Sequence, residues 1–506
     1  MDVPLFIVHS SPRMKRMIAP VWLLLLQTLP LGPGPSALAQ EFDISRIFSD
    51  SNLNESCLPT EPSTPSETPR CANDRQAFAP LSPLDEARTL IVGYHPDAED
   101  FIADLGRAFI DEPQLSQQRL LVLVPQGGLT RISRVLTARP EIRRLKSQGR
   151  LDLRSTSDAK NTWLQDAMEI GWDPSTLQPK ILDLPHFESD RAAQSLAASC
   201  GLPTLNPERE SGNGEFTWNE ASKGDPRNHG GNWEAFPGGI LATLREPESN
   251  LRNTFERHSP ESEILSLTVD WLEVGHIDEV FGVLPLPESR GSKGCNFALT
   301  AASPARAIET LLSTHEDSPL EPELTHAPPK KAPPSGAGLG CISRLSDARS
   351  GAVLRAREAR QCNKLIEANR EFERLINEQL SILLERVQVR TGCQNTPVLR
   401  LPTLFRPAHR MSDTSWQRAR TLKTPPTTRW RQARSINPNP INGISLNSVQ
   451  FVPAQAHPGF RAAIESEMQT QAHGVTLRWI DTPHVHFLGG EAHCGTNVIR
   501  TCTAEL

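Results

Sequence analysis

From about Asp85 to the C-terminus, short apolar runs alternate with stretches whose apolar residues recur at three-to-four spacing, and few folds accept that alternation. The short apolar runs TLIVGY (89–94), RLLVLVP (119–125), LDLRS (151–155), KILDLP (180–185), GGILATL (238–244), SEILSLTVDW (262–271), NFALTAA (296–302), VLRLPTLF (398–405) and VTLRWID (475–481) read as strands. Residues 97–110, 304–313 and 458–472 read as amphipathic helices. The longest helical pattern covers about 346–390, with Leu365, Ile366, Phe372, Leu375, Ile376, Leu380, Leu383 and Leu384 along one stripe. Strands separated by helices predict an α/β chain.

Two stretches lack this pattern. Residues 40–84 are rich in Pro, Ser, Thr and Glu and read as a stalk or linker, because little apolar surface is available to offset the entropy of ordering. Residues 316–340 share that character and read as a Pro-rich surface insertion in a domain spanning 85–506. The N-terminus carries a basic RMKR, an apolar run over 17–32 and an A-x-A pattern at Ala37 and Ala39, which predicts an export signal over 1–39 and a secreted or extracytoplasmic chain. The apolar run is shorter than the ~20 residues a spanning helix needs, so no transmembrane segment is expected in the mature chain. A net charge of −6, without a basic stripe, argues against a nucleic-acid partner.

Export permits disulfides, and the chain has nine cysteines. An odd number leaves one over, and Cys494 is the candidate for a free thiol. Cys57 with Cys71 is the expected local bridge.

Four short islands place polar residues of chemical interest beside apolar ones: WLQDAMEIG around Asp166, GNWE around Glu234, DWLEVGHIDE around His276 and Asp278, and GEAHCGTNV around Cys494. If VGHIDE is extended, His276 and Asp278 point to the same side, so one face offers a base and an acid. Taken singly, a cysteine is more often a small buried residue, a histidine more often structural, and an aspartate more often a turn or cap. The joint appearance carries the argument.

In their order and content the islands resemble the protein-arginine deiminase family, within the guanidine-modifying superfamily. The likeness spans about residues 163–498 and covers the catalytic domain. It implies a five-module α/β propeller (pentein-like) and hydrolysis of peptidyl arginine to citrulline and ammonia. It also implies roles: Asp166 and Asp278 grip the planar guanidinium through paired N–H···O bonds, Cys494 adds to its carbon, and His276 moves the protons. Trp163 matches an aromatic wall, His493 would order the loop and Gly495 would allow a close turn. The family's calcium dependence implies one oxygen-rich site from Gln165, Glu169, Glu234 and the carbonyls of Gly230 and Trp233; at a second site Ala167 stands where a glutamate is expected. Of the arginines that contact substrate backbone, one position holds Thr162 and Arg227 is the candidate for another. A deiminase of a small guanidine such as free arginine or agmatine shares the same four catalytic residues and is the alternative.

Overall fold

A sheet in which two strands run antiparallel can be joined by a tight turn, whereas a parallel pair needs a crossover long enough to hold a helix. In the computed structural model this rule organises the chain. The structure describes residues 57, 78–156, 163–184, 192–206, 228–244, 249–287, 295–314, 317–321, 341, 354–421 and 426–502. The strands in chain order are β1 (Ala79–Pro80), β2 (Glu86–Gly93), β3 (Arg119–Pro125), β4 (Leu151–Thr156), β5 (Met168–Asp173), β6 (Gln178–Asp183), β7 (Thr204–Leu205), β8 (Trp233–Phe236), β9 (Ile240–Leu244) and β10 (Glu263–Leu267). They continue as β11 (Phe281–Pro285), β12 (Phe297–Ser303), β13 (Val398–Pro402), β14 (Phe405–Arg410), β15 (Trp430–Ser435), β16 (Ile444–Leu446), β17 (Val449–Pro453), β18 (Thr476–Ile480) and β19 (Thr496–Thr501).

One motif recurs in five sheets among the described residues: a first strand antiparallel to a second, and the second parallel to a third. It is built by β5-β6-β7, β8-β9-β10, β11-β12-β13, β16-β17-β18, and β19-β2-β3, the last joining the end of the chain to its beginning. A helix fills each parallel crossover: Ala192–Cys200, Ser249–His258, Pro304–Ser313 with Asn363–Thr391, Pro458–Gln471 and Glu99–Asp111. Several tight turns contain the left-handed residues such turns require, among them Gly238 (φ 82°) and Gly239 (φ 70°) between β8 and β9, and Asn447 (φ 54°) between β16 and β17. β4 extends the β19-β2-β3 sheet, β1 edges β5, and β14-β15 form a separate hairpin.

The predicted α/β alternation is thus present, with informative differences. β3 is buried through Leu120–Val124, which is why it reads as an unbroken apolar run. β5 (MEIGWD) is equally buried yet has Glu169 and Asp173 inside, so apolar patterning does not announce it. VLRLPTLF is two strands, because the chain turns at Thr403, whose N–H donates to Ser303 O, before β14 begins. Residues 346–353 of the long helical pattern lie outside the described residues; from 356 a short helix, Ala356–Gln361, breaks at Cys362, and Asn363–Thr391 follows, ending where Gly392 turns left-handed (φ 71°) and donates to Gln388 O. Its buried stripe, including Leu365, Phe372, Leu375, Ile376, Leu383 and Val387, packs into the largest core around Trp271, which stacks on Phe372 (4.2 Å) and meets Phe405 edge-on (5.0 Å). Each such side chain contributes roughly 1.5–3 kcal/mol.

The expected Cys57–Cys71 bridge is replaced by Cys57–Cys200. The Cα atoms of this pair stand 5.1 Å apart, in the range a disulfide needs, and Thr89 Oγ1 holds the Cys57 carbonyl at 2.9 Å. Proximity here follows from packing, not from sequence spacing. Cys295–Cys393 and Cys341–Cys362 are also bridged, Cys502 is disulfide-bonded, and Cys494 is free and buried. The stretch expected as linker to Leu84 ends in ordered chain, with Phe78 fully buried and β1 paired to β5. At the start of the 316–340 stretch, Leu320 is buried. Residues 1–39, Thr162 and Arg227 lie outside the described residues. No described helix is long and apolar enough to cross a membrane.

Candidate active site

Each recognised island lies just before, or runs into, the first strand of one recurring motif. Trp163 to Ala167 lead into β5, Gly230 to Asn232 into β8, His276 to Glu279 into β11, and Glu491 to Gly495 into β19. Equivalent positions in successive motifs bring together residues separated by up to 328 places in the chain, from Asp166 to Cys494.

Asp166 sits on a one-turn helix, Leu164–Ala167, whose Gln165 N–H donates to Cys494 O at 3.3 Å. Its Oδ1 is 3.5 Å from His276 Nδ1. His276 and Asp278 were expected on an extended segment; instead His276 caps a 3-10 turn, Ile277–Glu279. The His276 N–H donates to Glu279 Oε1 at 3.3 Å, an alternative to a strand ladder that lets the chain turn. Both side chains still reach the site. Asp278 Oδ2 accepts from Cys494 Sγ at 3.7 Å and lies 2.9 Å from His493 Nδ1. Asp166, His276, Asp278 and Cys494 are each no more than 6% exposed.

Gly231 explains how Asp166 and His276 come so close. A Cβ there would stand 2.6 Å from His276 Nδ1 and 3.1 Å from Asp166 Oδ1, and the Gly231 backbone N–H bonds Asp166. Trp163 is half-buried at the start of its helix, and its ring lies against Gly490, whose missing Cβ would also meet Cys494 Cβ at 3.2 Å. The aromatic ring and the thiol thus share one glycine-lined corner.

The electrostatics follow from burial. Desolvation, then the Asp278 and Asp166 carboxylates, push the Cys494 thiol well above its ordinary range. Burial, with Asp278 nearby, raises Asp166 well above the usual carboxylate range. Burial lowers His276 to about 4, against an upward pull from Asp278 and with His229 adding to the depression. Without a cation between the acids, the site therefore holds a thiol and a neutral imidazole at pH 7.

Sequence reasoning missed Asn442. Fully buried on the segment before β16, it accepts the Cys494 N–H on Oδ1 (3.2 Å), accepts the His493 N–H on its backbone carbonyl (3.2 Å), and donates from Nδ2 to Asp278 O (3.4 Å). Asn439 adds a bond to Glu279 O at 2.7 Å and receives Glu491 Oε1 on its N–H at 3.0 Å. The signal was the string NPNPING, a polar, turn-rich island before a strand like the other four. His229, whose ring meets that of His276 edge-on at 5.8 Å, was also missed.

Behind the thiol loop a small cavity is lined by Gln165, Glu169, Glu234, His493, Asn497 and Arg500. Gln165 Nε2 donates to Glu169 Oε2 at 3.1 Å, while the buried Glu234 Oε1 has no hydrogen-bond partner. Burial raises Glu169 to about 8, and burial with the Asp278 and Glu169 charges also raises Glu234 well above the usual carboxylate range. Trp233 is buried and stacks on Phe255 (4.4 Å), and its backbone N–H donates to the Gly230 carbonyl. Paired carboxylates, an amide oxygen and an unsatisfied acceptor suit a hard cation such as calcium.

Residues 243–505 match the family model described as protein-arginine deiminase (PAD). The chain is 24% identical over 356 residues to mouse protein-arginine deiminase type-3 and 23% identical over 359 residues to human type-4, aligning over 67% of this chain and 46% of each relative. It therefore spans about half the length of these relatives. An agmatine deiminase structure from Enterococcus faecalis aligns with a TM-score of 0.45 at 13% identity, over 84% of this chain and 97% of that one. With the family model covering more than half its length, the chain belongs to the protein-arginine deiminase family.

Proposed function

We propose that this protein hydrolyses the guanidinium group of peptidyl arginine to citrulline and ammonia. The observation that carries the reading is Cys494, a free thiol 3.7 Å from Asp278 in a bridged chain, with Asp166 and His276 3.5 Å apart beside it. A guanidinium entering between Asp166 and Asp278 brings positive charge into the buried site, so binding favours the ionised form of Asp166 and lowers the cost of a thiolate. The thiol proton passes to His276, neutral in the empty site, and the sulfur adds to the guanidinium carbon. His276 returns the proton to the departing nitrogen, releasing ammonia and leaving a thiouronium. His276 then accepts a proton from water as it attacks, and collapse of the adduct expels the thiolate and the ureido product.

Gln165, Glu169 and Glu234, with the carbonyls of Gly230 and Trp233, would hold calcium in the cavity behind this loop. The ion would supply positive charge to the paired glutamates and brace β5 against β8; the chemical steps belong to the four residues above. We further infer that the five recurring sheets ring this site as a propeller, since a polar segment preceding each first strand, Asn442 included, contributes to it. Export is supported by the disulfides, which persist in oxidising compartments.

The test is ammonia release from a blocked arginine peptide, with and without calcium, by the wild-type protein and Cys494→Ser. Turnover that disappears in the variant is expected. Activity surviving the substitution removes the nucleophile, and faster turnover of free arginine or agmatine moves the assignment to a small guanidine.

A further inference from the structure

His229 stands just before the 3-10 turn Gly230–Asn232 that leads into β8, and its carbonyl accepts the Asn232 N–H at 3.0 Å. The deiminase steps above make no use of it. The residue is 9% exposed, and its ring meets the His276 ring edge-on at 5.8 Å. Asp166 completes a group of three drawn from the segments leading into β5, β8 and β11. Each of the three offers one ligand atom, and those atoms all lie within 4.8 Å of one another.

Distance and donor type decide what such a group can hold. A tetrahedral zinc ion takes imidazole nitrogen and carboxylate oxygen at about 2.0–2.2 Å, which puts neighbouring ligand atoms roughly 3.4 Å apart. Asp166 Oδ1 and His276 Nδ1 are 3.5 Å apart, so this pair already has that spacing. The 4.8 Å limit on the set leaves at most about 1.4 Å to close for the third ligand, within reach of rotating one imidazole. Neither ring nitrogen of His276, a residue 1% exposed, has a hydrogen-bond partner. A bound ion gives one of them the polar contact that burial otherwise denies it. Two imidazole nitrogens and one carboxylate oxygen suit zinc, whereas calcium takes oxygen. Glu234, Asp278 and His493 form a second group within the same limit. That group is the weaker one, because its single imidazole already sets Nδ1 2.9 Å from Asp278 Oδ2.

We propose that Asp166, His229 and His276 form a zinc site inside the reaction centre, and that its occupation blocks turnover. The site stands on its geometry; the inhibition rests on the deiminase reading above. Zinc on these ligands keeps His276 from moving protons and Asp166 from gripping the guanidinium, so metal and substrate exclude each other. Cys494 is not a member of the set, which separates this site from zinc captured by a thiol.

Zinc calorimetry on the full, metal-free chain tests the site apart from turnover. Cys494→Ser and His493→Gln should leave the zinc dissociation constant unchanged. His229→Gln should raise it at least about tenfold, since even the outer partners of a metal ligand are worth 10–100-fold in affinity. Cobalt(II) bound to the wild-type protein gives a measurement that needs no variant: the strong visible bands of a four-coordinate ion, without the near-ultraviolet charge-transfer band of a thiolate. In assays of a blocked arginine peptide with calcium present, zinc should raise KM at unchanged kcat, and a chelator selective for zinc over calcium should restore the rate. An affinity unchanged in His229→Gln, or lost in Cys494→Ser or His493→Gln, overturns the site, as does a thiolate band with cobalt. Inhibition that excess substrate does not relieve overturns the mutual exclusion. Zinc bound with the expected ligand dependence by a protein that never turns over arginine overturns the deiminase reading and leaves the site standing.

Discussion

Gly231→Ala adds one methyl group to the closest approach in the site. The new Cβ would stand 2.6 Å from His276 Nδ1 and 3.1 Å from Asp166 Oδ1, where ordinary contacts begin at 3.4 Å. The imidazole must therefore yield by roughly 0.8 Å, a shift of the size that costs about a hundredfold in rate when it displaces a reacting group. Gly231 is not among the left-handed glycines, so alanine meets no backbone penalty and the effect is steric. Overpacking of this kind costs about 1–3 kcal/mol of stability, too little to unfold a core of this extent. The expected result is a folded protein with a slightly lowered melting temperature and kcat for blocked arginine reduced by about two orders of magnitude. A folded variant retaining kcat within twofold would refute the claim that Asp166 and His276 act in the positions described.

Two further outcomes follow from the buried charges. The Cys494 thiol, raised by burial and by Asp278 and Asp166, should be alkylated slowly by iodoacetamide at pH 7 in the absence of substrate, with a rate that climbs with pH without levelling off below about pH 9; a plateau below pH 8 would contradict this. Glu169 keeps its proton in the folded chain up to about pH 8, while the unfolded chain loses it near 4.5. The unfolded state therefore binds fewer protons across that interval, and metal-free stability declines as pH rises from 4.5 to 8. Glu169→Gln should remove this loss, raising the melting temperature at pH 8 in chelator, and should abolish any stabilisation by calcium. A calcium-induced rise that survives in Glu169→Gln would exclude the proposed ligand set.

The α/β alternation was legible because buried second and third strands of the recurring motifs are largely apolar, as in β3, β9 and β12. The first strands were mostly not. β5, β8, β11, β16 and β19 are short or begin beside polar islands, and those islands are what the motifs contribute to the site. The same polar residues that signal chemistry thus hide the strands behind them, which is why Asn442, on the least conspicuous island, escaped notice. Residue spacing also misjudged Cys57, because a bridge forms where packing brings Cα atoms together, and that partner lies 143 positions away.

By itself the sequence determined the residue types: one odd cysteine, two aspartates and a histidine in four ordered islands, and a helix–strand alternation able to carry them. Only the tertiary structure decided their distances. The pairing of β19 with β2 brings the last motif to the first, the 3-10 turn aims His276 and Asp278, and Gly231 sets a separation of 3.5 Å between base and acid. Periodicity along a chain reports which side of each element is buried, but contact between elements depends on how separate sheets pack, and no local pattern encodes that.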